Sequence, residues 1–222
     1  MNCINFHCHG CKKNGEGIQV VSYNLDEIDT QNIRKNCTVG IHPWQSSNPN
    51  VDQWLSQLEI ISQNPNVLAI GEIGLDRLKG GSLELQNKIL TAQANIAKNA
   101  GKPIIIHCVR AWSELIKTLS SSEFSLIKKA IHGFRGKVEM AKQLTDLGYY
   151  ISFGSILVNA TPELAETLTK IPLNRVFFET DDSSMPIEEV YSAAADILDM
   201  YIEDLIGITE NNFNEFFDIK PA

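Results

Sequence analysis

Short β-branched runs alternate along the chain with longer segments whose apolar residues recur every three or four positions. The runs CINFH (3–7), IQVVSY (18–23), CTVGI (37–41), VLAIGEI (67–73), PIIIH (103–107), IKKAIH (127–132), YYISF (149–153) and RVFFET (175–180) read as strands. NVDQWLSQLEIISQ (50–63), LELQNKILTAQANIAKNA (83–100), KVEMAKQLTDLG (137–148) and TPELAETLTK (161–170) read as amphipathic helices. In the second of these, Leu83, Leu90, Ala94 and Ala97 fall at helical spacing, and Gly101 with Pro103 closes the helix. Eight strands alternating with helices, without a linker or a shift in composition, predict one α/β domain over residues 1–222. The count of eight predicts a compact (β/α)8 TIM barrel; a doubly wound open sheet is the alternative.

Composition narrows the functional classes. Lys and Arg number 19 against 27 Asp and Glu, a net charge of −8 that disfavours general duplex binding, since such affinity comes from basic side chains on phosphates. A nucleic-acid partner would need a local basic patch or bound cations. No apolar run approaches the ~20 residues of a membrane span, and the start does not read as a leader, so a cytoplasmic protein without a membrane partner is expected. Five cysteines (Cys3, Cys8, Cys11, Cys37, Cys108) are an odd, scattered set that suits reduced thiols rather than a disulfide framework. Cys8-x-x-Cys11 lacks the second pair of a zinc knuckle and the strand–helix setting of a redox motif.

The five histidines change the picture. His7 and His9 end strand one, His42 follows strand three, His107 ends strand five and His132 strand six. Glu72 lies in strand four and Asp181 just beyond strand eight. In a (β/α)8 barrel those strand ends meet on one face. Residues two apart share a face of a strand, so His7 and His9 point together while Cys8 points away. Imidazoles joined by carboxylates suit divalent zinc, manganese or iron, with magnesium where oxygen ligands dominate; the donor number allows two ions. The blander readings are rim histidines, a rim carboxylate at Glu72, and a helix cap at Asp181, Asp182 or Ser184.

At these residues the chain resembles the TatD-type metal-dependent deoxyribonucleases of the amidohydrolase superfamily. The matching pieces, in order, are NFHCH (5–9), VGIHPW (39–44), GEIGLD (71–76), PIIIHC (103–108), IHGFRG (131–136), ETD (179–181) and TENNFNEFF (209–217). The resemblance implies a (β/α)8 barrel in which His7, His9, Glu72, His107, His132 and Asp181 hold one or two divalent ions (Mg, Mn or Zn). It also implies that Glu72 bridges the ions, and Asp181 is the candidate general base. Four departures stand out. Asn5 replaces the family's usual Asp, where it could orient a ligand imidazole. Arg110 falls three residues after His107 rather than two. Gly133 and Arg135 occupy positions that are usually small and polar. DSSM delays Pro186 after ETD, ahead of a helix expected to be short.

Basic residues gather after the same strands: Arg77 and Lys79 after strand four, Arg110 after strand five, Arg135 and Lys137 after strand six. With His42, Arg77, Arg110 and Arg135 are the candidate substrate-binding residues, because a guanidinium fork matches phosphate oxygens. Trp44 and Trp112 are candidates to stack a base, and Trp54 is expected in the core. The expected activity is hydrolysis of DNA phosphodiester bonds at single strands or strand ends. The competing readings are hydrolysis of a small phosphate ester, lactone or amide, and a scaffold without activity in a larger assembly.

Overall fold

The computed structural model describes residues 3–10 and 17–219; Cys11 lies outside them. Among these residues the chain forms eight strands and seven α-helices. The strands are β1 (Ile4–Cys8), β2 (Ile18–Asn24), β3 (Cys37–Gly40), β4 (Val67–Asp76), β5 (Ile104–Val109), β6 (Lys129–Ile131), β7 (Tyr150–Phe153) and β8 (Val176–Phe178). The helices are α1 (Val51–Ile61), α2 (Leu83–Ala100), α3 (Trp112–Leu119), α4 (Val138–Asp146), α5 (Pro162–Thr169), α6 (Ile187–Leu198) and α7 (Ile202–Phe216). They fall into two compact units, Ser22–Lys129 and Met1–Val21 with Ala130–Ala222.

In Ser22–Lys129, β3, β4 and β5 pair in parallel, with Val39 opposite Ile70 and Gly74 opposite His107. Burial along β4 is almost continuous, as expected for a parallel strand covered on both faces. The α2 helix keeps the bounds its sequence predicts because both ends carry local stop signals. Ser82 accepts a hydrogen bond from Leu85 N, and Gly101 turns left-handed at φ +64°. Trp54 is buried on α1 with Leu58 and Ile61, as expected.

In the other unit, β6, β7 and β8 are parallel neighbours, β1 pairs with β2, and Cys8 bridges to Asp181. Asp181 N donates to His7 O at 3.0 Å and His9 N to Asp181 O at 3.2 Å. The last strand therefore runs on beside the first, an adjacency absent from a doubly wound sheet. Phe6 of β1 stacks on Phe177 of β8 with centroids 4.0 Å apart, and Phe216 of α7 meets both rings edge-on. Each ring is fully buried and contributes about 1.5–3 kcal/mol of apolar burial. The phenylalanines of the closing motif are thus a packing device that fixes β1 against β8.

Two expectations about the elements change. β6 spans three residues rather than six, because Lys129 turns its amine back to donate to Phe124 O and Ile127 O at the preceding turn. The helix after Pro186 is not short: α6 runs for 12 residues with Pro186 at its N-cap, so Asp181 does not cap it.

Candidate metal centre

Two clusters of imidazoles and carboxylates form, one within each unit. In Ser22–Lys129 the cluster is built on β4. Glu72, Gly74 and Asp76 alternate, so the two carboxylates share a face. Gly74 has φ +150°, and a Cβ there would lie 1.9 Å from His107 O. Only a residue without a side chain lets β5 approach this closely. His107 consequently sits between the two carboxylates, with Nδ1 2.7 Å from Glu72 Oε1 and Nε2 3.3 Å from Asp76 Oδ2.

His42 follows β3 and caps a short turn, its Nδ1 accepting from Trp44 N at 3.2 Å. Its Nε2 lies 3.2 Å from Glu72 Oε1. An Nδ1 that accepts a hydrogen bond places the imidazole proton on Nε2. A neutral imidazole bound to a cation through Nε2 would need that proton on Nδ1. His42 is therefore set up as a donor toward Glu72 or a substrate, although its nitrogen lies near enough to count among possible ligands with Glu72 and His107.

Asp76, passed over in the sequence, is the most heavily bonded carboxylate of this cluster. Its Oδ1 accepts from Leu78 N (2.7 Å) and Lys79 N (3.2 Å), and its Oδ2 from Trp44 Nε1 at 2.6 Å. Burial pushes its pKa up, but the indole, the Leu78 N–H and His107 outweigh that and hold it below the ordinary carboxylate range.

The second cluster belongs to β1, β6 and β8. Asp181 Oδ1 lies 3.8 Å from His7 Nε2 and 3.6 Å from His9 Nε2. His7 and His132 have ring centroids 4.3 Å apart. Asp181 adopts φ +53°, a left-handed conformation that Asp tolerates better than most residues. Glu179, also passed over, is completely buried; its Oε1 accepts from Gly133 N at 2.7 Å and lies 3.3 Å from His132 Nδ1. That contact orients the His132 ring through Nδ1, the carboxylate–imidazole arrangement common behind metal ligands. Burial pushes the Glu179 pKa up, yet His132 and His7 hold it below the ordinary value. An ionised carboxylate with no access to water requires positive charge nearby.

Asn5 does not orient an imidazole. Its Nδ2 donates to Thr180 Oγ1 (2.8 Å) and its Oδ1 accepts from Thr180 N (2.9 Å), clasping β1 to the chain leaving β8. Cys8 faces away from the histidines, its thiol donating to Val20 O. Cys3, Cys8, Cys37 and Cys108 are not joined in disulfides.

The donor sets fit a divalent ion. His7, His132 and Asp181 offer one ligand atom each within 4.8 Å of one another, as do His9, Asp181 and Asp182, and His42, Glu72 and His107. Ligands about 2.1 Å from a tetrahedral ion stand about 3.4 Å apart, close to the His–Asp181 separations.

Among the candidate substrate residues, the Arg77 guanidinium is bound to the Glu114 carboxylate and its Nε donates to Arg110 O at 2.8 Å. Arg110 and Arg135 are exposed. Arg135 lines a cleft of about 260 Å³ with Gly133, Ser155, Glu179, Asp181 and Ser183. Trp44 is 48 % exposed, and Trp112 is partly buried at the start of α3. Among the described residues no helix is long and apolar enough to cross a membrane.

Comparison with known proteins defines the class. The chain superposes on YjjV, a TatD homologue of Escherichia coli K12, with a TM-score of 0.80 at 22 % identity, covering 98 % of both chains. The fold is accordingly α/β, a (β/α)8 TIM barrel as the strand count predicts. The model of the TatD related DNase family matches residues 19–218, and the chain belongs to that family of metal-dependent hydrolases. It is 29 % identical to a metal-dependent hydrolase of Buchnera aphidicola over 89 % of this chain and 82 % of that one. It is 32 % identical to the protein named 3'-5' ssDNA/RNA exonuclease TatD of Citrobacter koseri, over 65 % of this chain and 56 % of that one.

Proposed function

We propose that this chain hydrolyses phosphodiester bonds of DNA, removing nucleotides from single strands or strand ends. His7, His9, His132 and Asp181 would hold a divalent ion in one cluster, and Glu72 and His107 would hold one in the other. When bound, such an ion supplies Lewis acidity and lowers the pKa of water. Asp181 accepts the proton of the attacking water, Glu179 and Asp76 orient His132 and His107, and the Nε2–H of His42 donates to a phosphate oxygen. Arg110 in one unit and Arg135 in the other each offer a guanidinium to phosphate oxygens; Arg77, already paired with Glu114, contributes by shaping the Arg110 loop.

The observation that carries the reading is the placement of Asp181 Oδ1 within 3.8 Å of two imidazole nitrogens, the spacing of groups that share a cation. Family membership and the relative named as an exonuclease favour a nucleic-acid phosphodiester as the bond attacked. The test is release of mononucleotides from end-labelled single-stranded DNA by chelator-stripped protein, with and without Mg, Mn or Zn. Activity that needs the ion, and falls by about 10²–10⁴ in Asp181→Asn, is expected. Metal-loaded protein that hydrolyses small esters or lactones but no nucleic acid overturns it.

A further inference from the structure

Trp44 is unusual in being half exposed and yet firmly fixed. Its indole N–H is tied to Asp76 Oδ2 and its backbone N–H to His42 Nδ1. Its ring lies 4.6 Å from the His42 ring and 5.9 Å from that of His107, nearly perpendicular to both. The segment after β4 is fixed as well. Gln86, buried on α2, donates from Nε2 to Asp76 O, Lys79 O and Gly81 O, and accepts from Asp76 N. Gly81 N donates to Ser46 Oγ, and at Gly80 (φ +86°) a Cβ would meet Pro43 O at 2.3 Å. Two loops are thereby stitched together beneath one open aromatic face.

Across that face lies Lys79, its Nζ 3.9 Å from the ring centroid. No carboxylate among the described residues pairs with this ammonium, and the nearby Asp76 Oδ1 is already taken by the backbone of Leu78 and Lys79. The lysine thus rests on a fixed platform through a weak interaction. A purine or pyrimidine offers the indole more contact than an ammonium does, and the displaced amine, tethered at the edge, can reach an anion on the same ligand.

We infer that Trp44 and Lys79 form a nucleotide subsite beside His42 and His107, the base stacking on the indole and the phosphate meeting the lysine. This rests on the phosphodiester reading for its place in a reaction, and it names the part of the substrate that is recognised outside the bond broken.

Binding tests it without cleavage. Magnesium-loaded protein is titrated with dAMP, deoxyadenosine and deoxyribose 5-phosphate, following tryptophan emission and calorimetric affinity. dAMP and deoxyadenosine are expected to quench emission, and the sugar phosphate is not. Trp44→Leu should abolish the quench and weaken dAMP about tenfold while sparing the sugar phosphate. Trp44→Phe, which keeps a ring, should retain the preference for dAMP, whatever Trp44→Leu does to folding. Lys79→Gln should weaken both phosphates severalfold and leave deoxyadenosine unchanged. Equal binding of dAMP and the sugar phosphate to wild type, or a Trp44→Leu protein that binds dAMP normally, overturns the subsite. Base-dependent binding by a protein that cleaves no DNA retires the nuclease reading and keeps the subsite.

Discussion

Replacing Asp76 by Asn keeps the shape of the side chain and removes one acceptor oxygen with its charge. With the amide oxygen at the Oδ1 position, the bonds from Leu78 N and Lys79 N survive. The amide nitrogen then faces two other donors, the Trp44 indole at 2.6 Å and His107 Nε2 at 3.3 Å. Losing a charge-assisted hydrogen bond costs about 1.5–3 kcal/mol, and the half-exposed indole can recover part of that from water. A destabilisation of about 2 kcal/mol is expected, or roughly 4–8 °C in Tm for a chain of this size. Urea unfolding followed by tryptophan emission, with chelator present so that metal binding does not contribute, measures it. The sign with pH is fixed by the lowered pKa of Asp76. Its contribution is complete above the ordinary carboxylate value of about 3.9 and is lost as pH falls through the folded value. The gap between wild type and variant should therefore narrow on acidification below about pH 4. A gap below about 0.5 kcal/mol at pH 7, or one that widens in acid, refutes the reasoning.

Lys129 gives a slope of the same sign at the alkaline end. Burial pushes its ammonium down to about 8, so between about pH 8 and 10.4 the unfolded chain holds the extra proton and stability rises with pH, by up to about 3 kcal/mol. The buried thiols of Cys3 and Cys37, pushed up from 9.0 to about 11, add a slope of the opposite sign over the upper part of this range. The measurement is accordingly the difference in urea midpoint between wild type and Lys129→Met, which should grow in favour of wild type from pH 7.5 to 10. Gly80→Ala must place a methyl group 2.3 Å from Pro43 O at a left-handed φ; on the order of 2–4 kcal/mol should be lost in thermal or urea melts.

How much of this was legible in the sequence depended on how local the cause is. Helix α2 was readable to the residue because Ser82 and Gly101 stop it from within the same stretch of chain. The length of β6 was not, since Lys129 carries a charge that the apolar pattern ignores until its amine finds the Phe124 and Ile127 carbonyls. The histidines stood out by their rarity and their strand-end positions. Asp76 and Glu179 did not, because a lone carboxylate after an apolar run looks like any rim residue. The spacings Glu72–Gly74–Asp76 and Glu179–Asp181 held the signal, as residues two and four apart on a strand share a side. The role of Asn5 was out of reach: its partner, Thr180, is 175 residues away, and its place inside ETD does not tie it to β1.

Gln86 closes four hydrogen bonds with a group that carries no charge and does not titrate. The loop it gathers should hold its shape alike in brine and in dilute buffer, and only strong acid, by protonating the Asp76 carboxylate that also binds Leu78 and Lys79, should loosen it. Any ionic-strength dependence seen when a ligand settles beside Trp44 would then report the ligand and Lys79 themselves, with the scaffold beneath contributing a constant background.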